Sequence, residues 1–281
     1  MLRSSATGLE DRTTSDASSI ISTSKLTRSF DELVAVNDLT FSVSAGTIFG
    51  LLGPNGAGKS TLIKMLITLL PPSSGTARVA GFDICLQPRE VRRRIGYVSQ
   101  MLSADGELTG YENLLISAKL YGLSRLERDE RIGRALEFMQ LEEARHKLVK
   151  HYSGGMIRRL EIAQSMLHRP QVLFLDEPTV GLDPAARRSV WQRILDLKQE
   201  LRTSVLMTTH DMEEADHLCD SVAFMHQGRL LTMGSPGDLK AALGTGASLD
   251  DVFIHYAGTS IAEGGTLRDV AQTRRTARRL E

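Results

Sequence analysis

The sequence predicts an α/β fold: a buried sheet flanked by helices, with an inserted helical subdomain and a small antiparallel β region near the N-terminus. Three observations lead there. The short continuous apolar run Thr47–Leu52 suits a strand buried on both faces, and the strand pattern returns at Val172–Leu175 and Ser204–Thr209. Helical stretches follow or separate those runs, as in units of alternating strand and helix. Residues from about 101 to 165 lack the strand pattern and carry helix-start signals instead.

The elements follow in order. Residues 1–22 are rich in Ser, Thr and charge and read as a disordered polar tail. Leu33–Val43 alternates apolar and polar side chains, the period of a strand. After Thr47–Leu52 comes a glycine-rich turn, then Ser60–Leu70 with apolar residues at helical spacing. Pro71-Pro72 is expected to stop that helix, since proline lacks the amide donor. In the inserted region Thr109-x-x-Glu112 and Ser124-x-x-Glu127 fit capping boxes, and Ile132, Leu136 and Met139 fall on one helical face. Ala185–Leu201 reads as a helix between two core strands. Residues 23–240 thus form the main domain and 241–281 a C-terminal extension. In that extension Ser248–Tyr256 can pack a last helix and the basic end (TRRTARRLE) is read as solvated.

Composition narrows the function. Lys plus Arg and Asp plus Glu both number 34, so there is no basic excess to favour a nucleic-acid partner. Cys85 and Cys219 are the only cysteines and suggest neither a disulfide framework nor a zinc site. His217 and Cys219 lie near His210, but a further ligand at metal spacing is missing. The run Arg92–Arg94 reads as a solvated face, with a partner or lipid headgroups as the alternative it could meet. No apolar run approaches the roughly 20 residues that span a bilayer, and the N-terminus has no signal-peptide core. The chain is read as soluble or peripheral, any membrane role requiring another polypeptide.

Three motifs carry chemistry. Gly53-Pro54-Asn55-Gly56-Ala57-Gly58-Lys59-Ser60, followed by Thr61, fits the phosphate-binding loop G-x-x-x-x-G-K-[ST]. Its glycines let successive amides face an oxyanion, the following helix aims its positive end there, Lys59 adds a charge and Ser60 a hydroxyl for magnesium. Val172–Glu177 is an apolar strand ending in two carboxylates. Asp176 is placed to hold a magnesium shell, and Glu177 to orient or deprotonate an attacking water. Ser153-Gly154-Gly155 precedes a helical run and offers a second anion site at a helix start, though on local grounds alone ordinary capping is the better explanation.

The order of phosphate loop, glutamine, Ser-Gly-Gly, Asp-Glu strand end and lone histidine resembles the ATP-binding subunits of ABC transporters, over roughly residues 25–240. The resemblance implies the P-loop nucleotide hydrolase fold of the ABC ATPase type, with ATP and Mg2+ as cofactors. Tyr152–Met156 would then be the signature motif, closing on ATP held by a second ATPase subunit, identical or related. Gln100 would touch magnesium and face a separate transmembrane permease subunit. Asp183, in Gly181-Leu182-Asp183, would lie in the loop that crosses the dimer interface, His210 would contact the γ-phosphate, and Phe30 would stack on adenine. The setting implied is peripheral, on the cytoplasmic face of the cell membrane.

Tyr152 stands where leucine is commoner and Met156 where glutamine is often found. Both variants, and the C-terminal SLDDVFIHYAG, are similar to the daunorubicin-resistance and multidrug export branch. That branch implies export of drugs or other hydrophobic compounds. The alternative is a soluble ABC-type ATPase acting on nucleic acid or ribosomes. Such proteins usually fuse two ATPase units or carry a long coiled coil, whereas this chain shows one unit and no sustained heptads. A module that binds ATP without turnover is a third reading, opposed by the presence of Glu177 and His210.

Overall fold

The computed structural model describes residues 19–264. Its centre is a six-stranded sheet in the order β10-β9-β3-β8-β7-β6. These strands are β3 (Ile48–Leu52), β6 (Ile95–Val98), β7 (Val172–Asp176), β8 (Ser204–Thr209), β9 (Ser221–His226) and β10 (Arg229–Gly234). All neighbours run parallel except the β9–β10 hairpin. Every residue of β3, β7 and β8 is buried, so their apolar runs reflect burial on two faces.

The two faces feed different cores, because successive strand side chains point opposite ways. Phe49, Leu51, Phe174 and Leu206 pack with the helix after β3, α1 (Lys59–Leu66), and with a second sheet. That second sheet is antiparallel in the order β2-β1-β4-β5: β1 (Ser19–Phe30), β2 (Leu33–Ser44), β4 (Ser74–Val79) and β5 (Phe82–Asp83). Ile48, Leu52, Leu173 and Leu175 pack the other way, toward the helical subdomain and later helices. That side holds α3 (Gly110–Leu120), α4 (Arg125–Phe138), α5 (Gly154–Met166), α6 (Pro184–Leu201) and α7 (Met212–Leu218). A short α2 (Pro88–Arg92) precedes β6, and α8 (Pro236–Leu243) and α9 (Leu249–Gly264) close the described chain. Leu249 and Val252 of α9 are buried in this second core, so the extension packs as a helix.

Both expected capping boxes form, at Thr109/Glu112 and Ser124/Glu127. Three local expectations need correction. The polar tail was bounded at residue 22, but Ser19–Ser22 already belong to β1, where Ile21 is buried. Residues 1–18 and the basic end from 265 onward lie outside the described residues. Pro71-Pro72 does not stop α1. The helix ends four residues before Leu70, with Thr68 in the left-handed region (φ 65°). The amides of Thr68 and Leu69 bond back to Met65 and Lys64, the paired pattern of a Schellman cap. Arg94 is not simply solvated either: it pairs with Glu90 at 2.7 Å and lies 4.1 Å over the Phe82 ring. Among the described residues no helix is long and apolar enough to cross a membrane.

Candidate nucleotide site

The site gathers at the carboxyl ends of three adjacent strands, where ligands bind in open α/β sheets. Register sets the alignment: Leu52 of β3 pairs with Thr209 of β8, and Thr208 pairs with Asp176 of β7. The phosphate loop after β3, the acids after β7 and His210 after β8 therefore emerge side by side.

In the phosphate loop Gly53, Gly56 and Gly58 all have positive φ (151°, 81° and 102°). Two of them are also required by close approach. A Cβ on Gly53 would lie 2.1 Å from the Met225 carbonyl oxygen, and one on Gly58 would lie 2.3 Å from that of Ala35. Pro54, Asn55 and Gly56 are exposed while Ala57 is buried, and the Gly228 amide donates to the Ala57 carbonyl at 3.0 Å. Lys59, Ser60 and Thr61 then open α1, whose first amides have no carbonyl ahead of them within the helix.

Lys59 is 5% exposed and donates to the carbonyls of Gly53 (2.6 Å) and Pro54 (3.2 Å). Burial pulls its ammonium below the ordinary lysine range, and the charges of Glu177 and Asp176 oppose that shift. Asp176 accepts from the Thr208 hydroxyl at 2.5 Å and from the Ser60 hydroxyl at 3.4 Å. Glu177 turns away from the strand in the left-handed region (φ 47°), held by its amide bonds to the Thr208 carbonyl and hydroxyl. That turn swings the second acid onto the same side as the first. Glu177 Oε1 lies 3.7 Å from Lys59 Nζ and 3.3 Å from His210 Nδ1, and Oε2 accepts from Gln100 Nε2 at 3.3 Å.

Lys59, Ser60, Gln100, Asp176, Glu177 and His210 are thus one connected cluster. The other candidates stand apart from it. Ser153 caps α5, its hydroxyl accepting from the Met156 amide at 3.3 Å, and a Cβ on Gly155 would lie 2.8 Å from that of Ala186. Asp183 caps α6, accepting from the amides of Ala185 and Ala186 at 2.9 Å. The half-exposed Phe30 ring is covered on one side by the Arg28 guanidinium, 4.5 Å from its centroid. Among the described residues no hydrogen bond or ion pair joins Ser153, Gly154, Gly155, Asp183 or Phe30 to the phosphate loop.

Two neighbours of the cluster escape sequence reading. Thr208 links both acids, and its only sign is a polar Thr-Thr pair ending an apolar strand. Glu214 is buried in the first turn of α7, where its Oε1 accepts from the Thr179 hydroxyl (2.6 Å) and the Trp191 indole (2.9 Å). Burial raises the pKa of Glu214 against the lowering effect of those bonds. His217 stacks on Trp191, and Cys219 is buried where a Cβ on Gly50 would come 2.7 Å from its sulfur.

Comparison with known proteins decides the family. The model of the family described as ABC transporter matches residues 36–180. The chain is 47% identical over 225 residues to the daunorubicin/doxorubicin resistance ATP-binding protein DrrA of Streptomyces peucetius, covering 80% of this chain and 68% of that one. This chain belongs to the ABC transporter family. It is an ATP-binding subunit of that family, whose members hydrolyse ATP. Among other ABC relatives is the Nod factor export ATP-binding protein I of Sinorhizobium fredii, 43% identical over 77% of this chain and 63% of its own length. A solved ATP-binding subunit of an ABC transporter superposes with a TM-score of 0.74 at 32% identity, covering 85% of this chain and 99% of the other. CbiO1 from Clostridium perfringens, described as part of the ABC transporter complex CbiONQ, gives 0.73 at 28% identity, over 79% of this chain and 90% of its own.

Proposed function

We propose that this chain is the ATP-hydrolysing motor of an exporter for drugs or other hydrophobic compounds, driving a separate permease subunit from the cytoplasmic face of the membrane. The observation that carries the hydrolytic part is Glu177, turned by its left-handed backbone into contact with Lys59, Gln100 and His210 at once. Similarity to DrrA and to the Nod factor export protein supports the export part.

The phosphate loop would take the phosphates on its amides and on Lys59, whose present bonds to its own loop carbonyls would exchange for phosphate oxygens. Mg2+ fits the donors present: the Ser60 hydroxyl and the Asp176 carboxylate are hard oxygen ligands in contact beside the loop, and Gln100, whose amide nitrogen now meets Glu177, would add its amide oxygen. When bound, the ion would neutralise charge on the outer phosphates. Glu177 would orient water and accept its proton, with His210 steadying the carboxylate and the γ-phosphate. Phe30 would offer its ring to the base, and Ser153-Gly154-Gly155 would supply donors to ATP held by a second subunit, Asp183 lying at the junction. In that arrangement two subunits close head to tail around two ATP.

The test is detergent extraction of the tagged chain from its native cells, followed by mass spectrometry of copurifying proteins. A polytopic membrane protein in near-equal ratio is expected. Ribosomal or DNA-bound proteins without one would instead favour the soluble clamp reading.

A further inference from the structure

The Gln100 loop leaves the sheet at the end of β6 and is fastened on its far side to α5. Arg158 and Glu161 sit one turn apart on α5, downstream of Ser153-Gly154-Gly155, and are only 2% and 4% exposed. They face each other at 3.0 Å. Arg158 Nη1 donates to the Ser99 carbonyl at 2.6 Å and Nη2 to that of Gln100 at 2.8 Å. Glu161 Oε1 accepts from the Ser103 amide and, at 3.1 Å, from the Ser103 hydroxyl. One buried ion pair therefore grips the backbone of 99–103 at both ends, while Met101 and Leu102 point outward. Burying such a pair costs desolvation and is poor value as mere stabilisation. What it supplies is geometry, because a planar guanidinium can hold two successive carbonyls and a carboxylate together.

The hold on the other side is weaker. Gln100 reaches the catalytic cluster through one neutral amide donor, 3.3 Å from Glu177. Ser99 is joined directly to β6, so the chain must hinge there. If α5 shifts relative to the sheet, three charge-assisted backbone contacts outweigh the single longer bond to Glu177, and the segment beyond that hinge follows α5.

We propose that Arg158 and Glu161 are positioning residues that clamp the Gln100 loop to α5, so that Gln100 and the Ser153-Gly154-Gly155 helix start move as one body relative to Glu177. The inference rests on the roles proposed above for Gln100 and Ser153-Gly154-Gly155. Its structural half stands without nucleotide and is tested separately.

The experiment uses the full chain and two variants. Arg158→Leu combined with Glu161→Leu removes both charges and leaves neither orphaned. Arg158→Lys keeps the charge but loses the fork. Amide exchange is followed by mass spectrometry without nucleotide, and steady-state ATPase activity with MgATP. In the double variant the amides of 99–103 are expected to exchange about tenfold faster or more, with β7 and β8 unchanged. The kcat should fall about tenfold while KM changes less than about threefold, since the phosphate loop is intact. Arg158→Lys should move both quantities the same way by a smaller factor, and it decides the matter if the double variant fails to melt cooperatively. Unchanged exchange at 99–103 would overturn the clamp, whatever the ATPase result. Fast exchange with unchanged kcat would overturn its coupling to turnover and leave the family's ATPase chemistry standing.

Discussion

Glu177 shows how one backbone angle prepares a site. In regular strand geometry it would point away from Asp176, toward the opposite face. At φ 47° it instead meets Lys59, Gln100 and His210, and the two amide bonds to Thr208 hold it in a conformation that non-glycine residues rarely adopt. Glutamine in place of Glu177 keeps the shape and the same backbone preference but cannot take a proton. Glu177→Gln is therefore expected to cut ATP hydrolysis by about a hundredfold or more while leaving nucleotide binding nearly intact. ATP should then shift the variant to dimer size in gel filtration, because closure is no longer undone by hydrolysis. Hydrolysis at the wild-type rate would remove Glu177 from this role. Tyr152 shows a different residue-scale compensation. Its hydroxyl bonds the Ala144 carbonyl at 2.7 Å, and a Cβ on Gly110 would come 2.2 Å from that hydroxyl. Tyrosine at the head of the Ser-Gly-Gly motif is thus accommodated by glycine at the start of α3.

At the scale of elements, α1 ends by a cap that its residue types disfavour. A β-branched threonine in the left-handed region is strained by roughly 1–2 kcal/mol relative to glycine, and Thr68 recovers only an exposed bond from Arg92 at 2.9 Å. Thr68→Gly should stabilise the chain by about 0.5–1 kcal/mol, a rise in melting temperature of about 2 °C, with ATPase activity unchanged. A fall in melting temperature would mean that the Arg92 bond outweighs the strain. The same helix shows where sequence reading runs short. Its start was legible because the phosphate-loop spacing carries its own mechanism, and the helix starts at Thr109 and Ser124 were legible because a capping box is local. The stop was misplaced because a Schellman cap built on threonine has no glycine to announce it. Ser19–Ser22 looked like tail because a short polar-apolar start becomes a strand only when β2 and β4 pair with it. Arg158 and Glu161 were invisible for a related reason. Opposite charges at this spacing on a helix usually mark a solvated face, and only the packed Gln100 loop makes them interior.

For the whole molecule, the described residues divide the chemistry between two places. The cluster from Lys59 to His210 is joined by direct contacts, whereas Ser153, Gly154 and Gly155 lie at the start of α5 against α6, with no bond to the phosphate loop. An exposed helix start with donors but no nearby phosphate site makes chemical sense when a second subunit brings the phosphate. The arrangement can be tested by complementation. Lys59→Ala disables the phosphate loop of one subunit, and Ser153→Arg disables the helix start of the other by filling it with a long cation. Each variant alone should be nearly inactive. In a mixed dimer one site combines the intact loop of the Ser153→Arg chain with the intact Ser153 of the Lys59→Ala chain, while the other site carries both lesions. With random association and independent sites, an equal mixture should recover roughly a quarter of the wild-type rate. Differently tagged subunits, purified through both tags in turn, would confirm that mixed dimers are present. Silence in such dimers would place both halves of the site within one chain. Activity there would show that the head-to-tail partner supplies Ser153-Gly154-Gly155 to the phosphate site of the other chain.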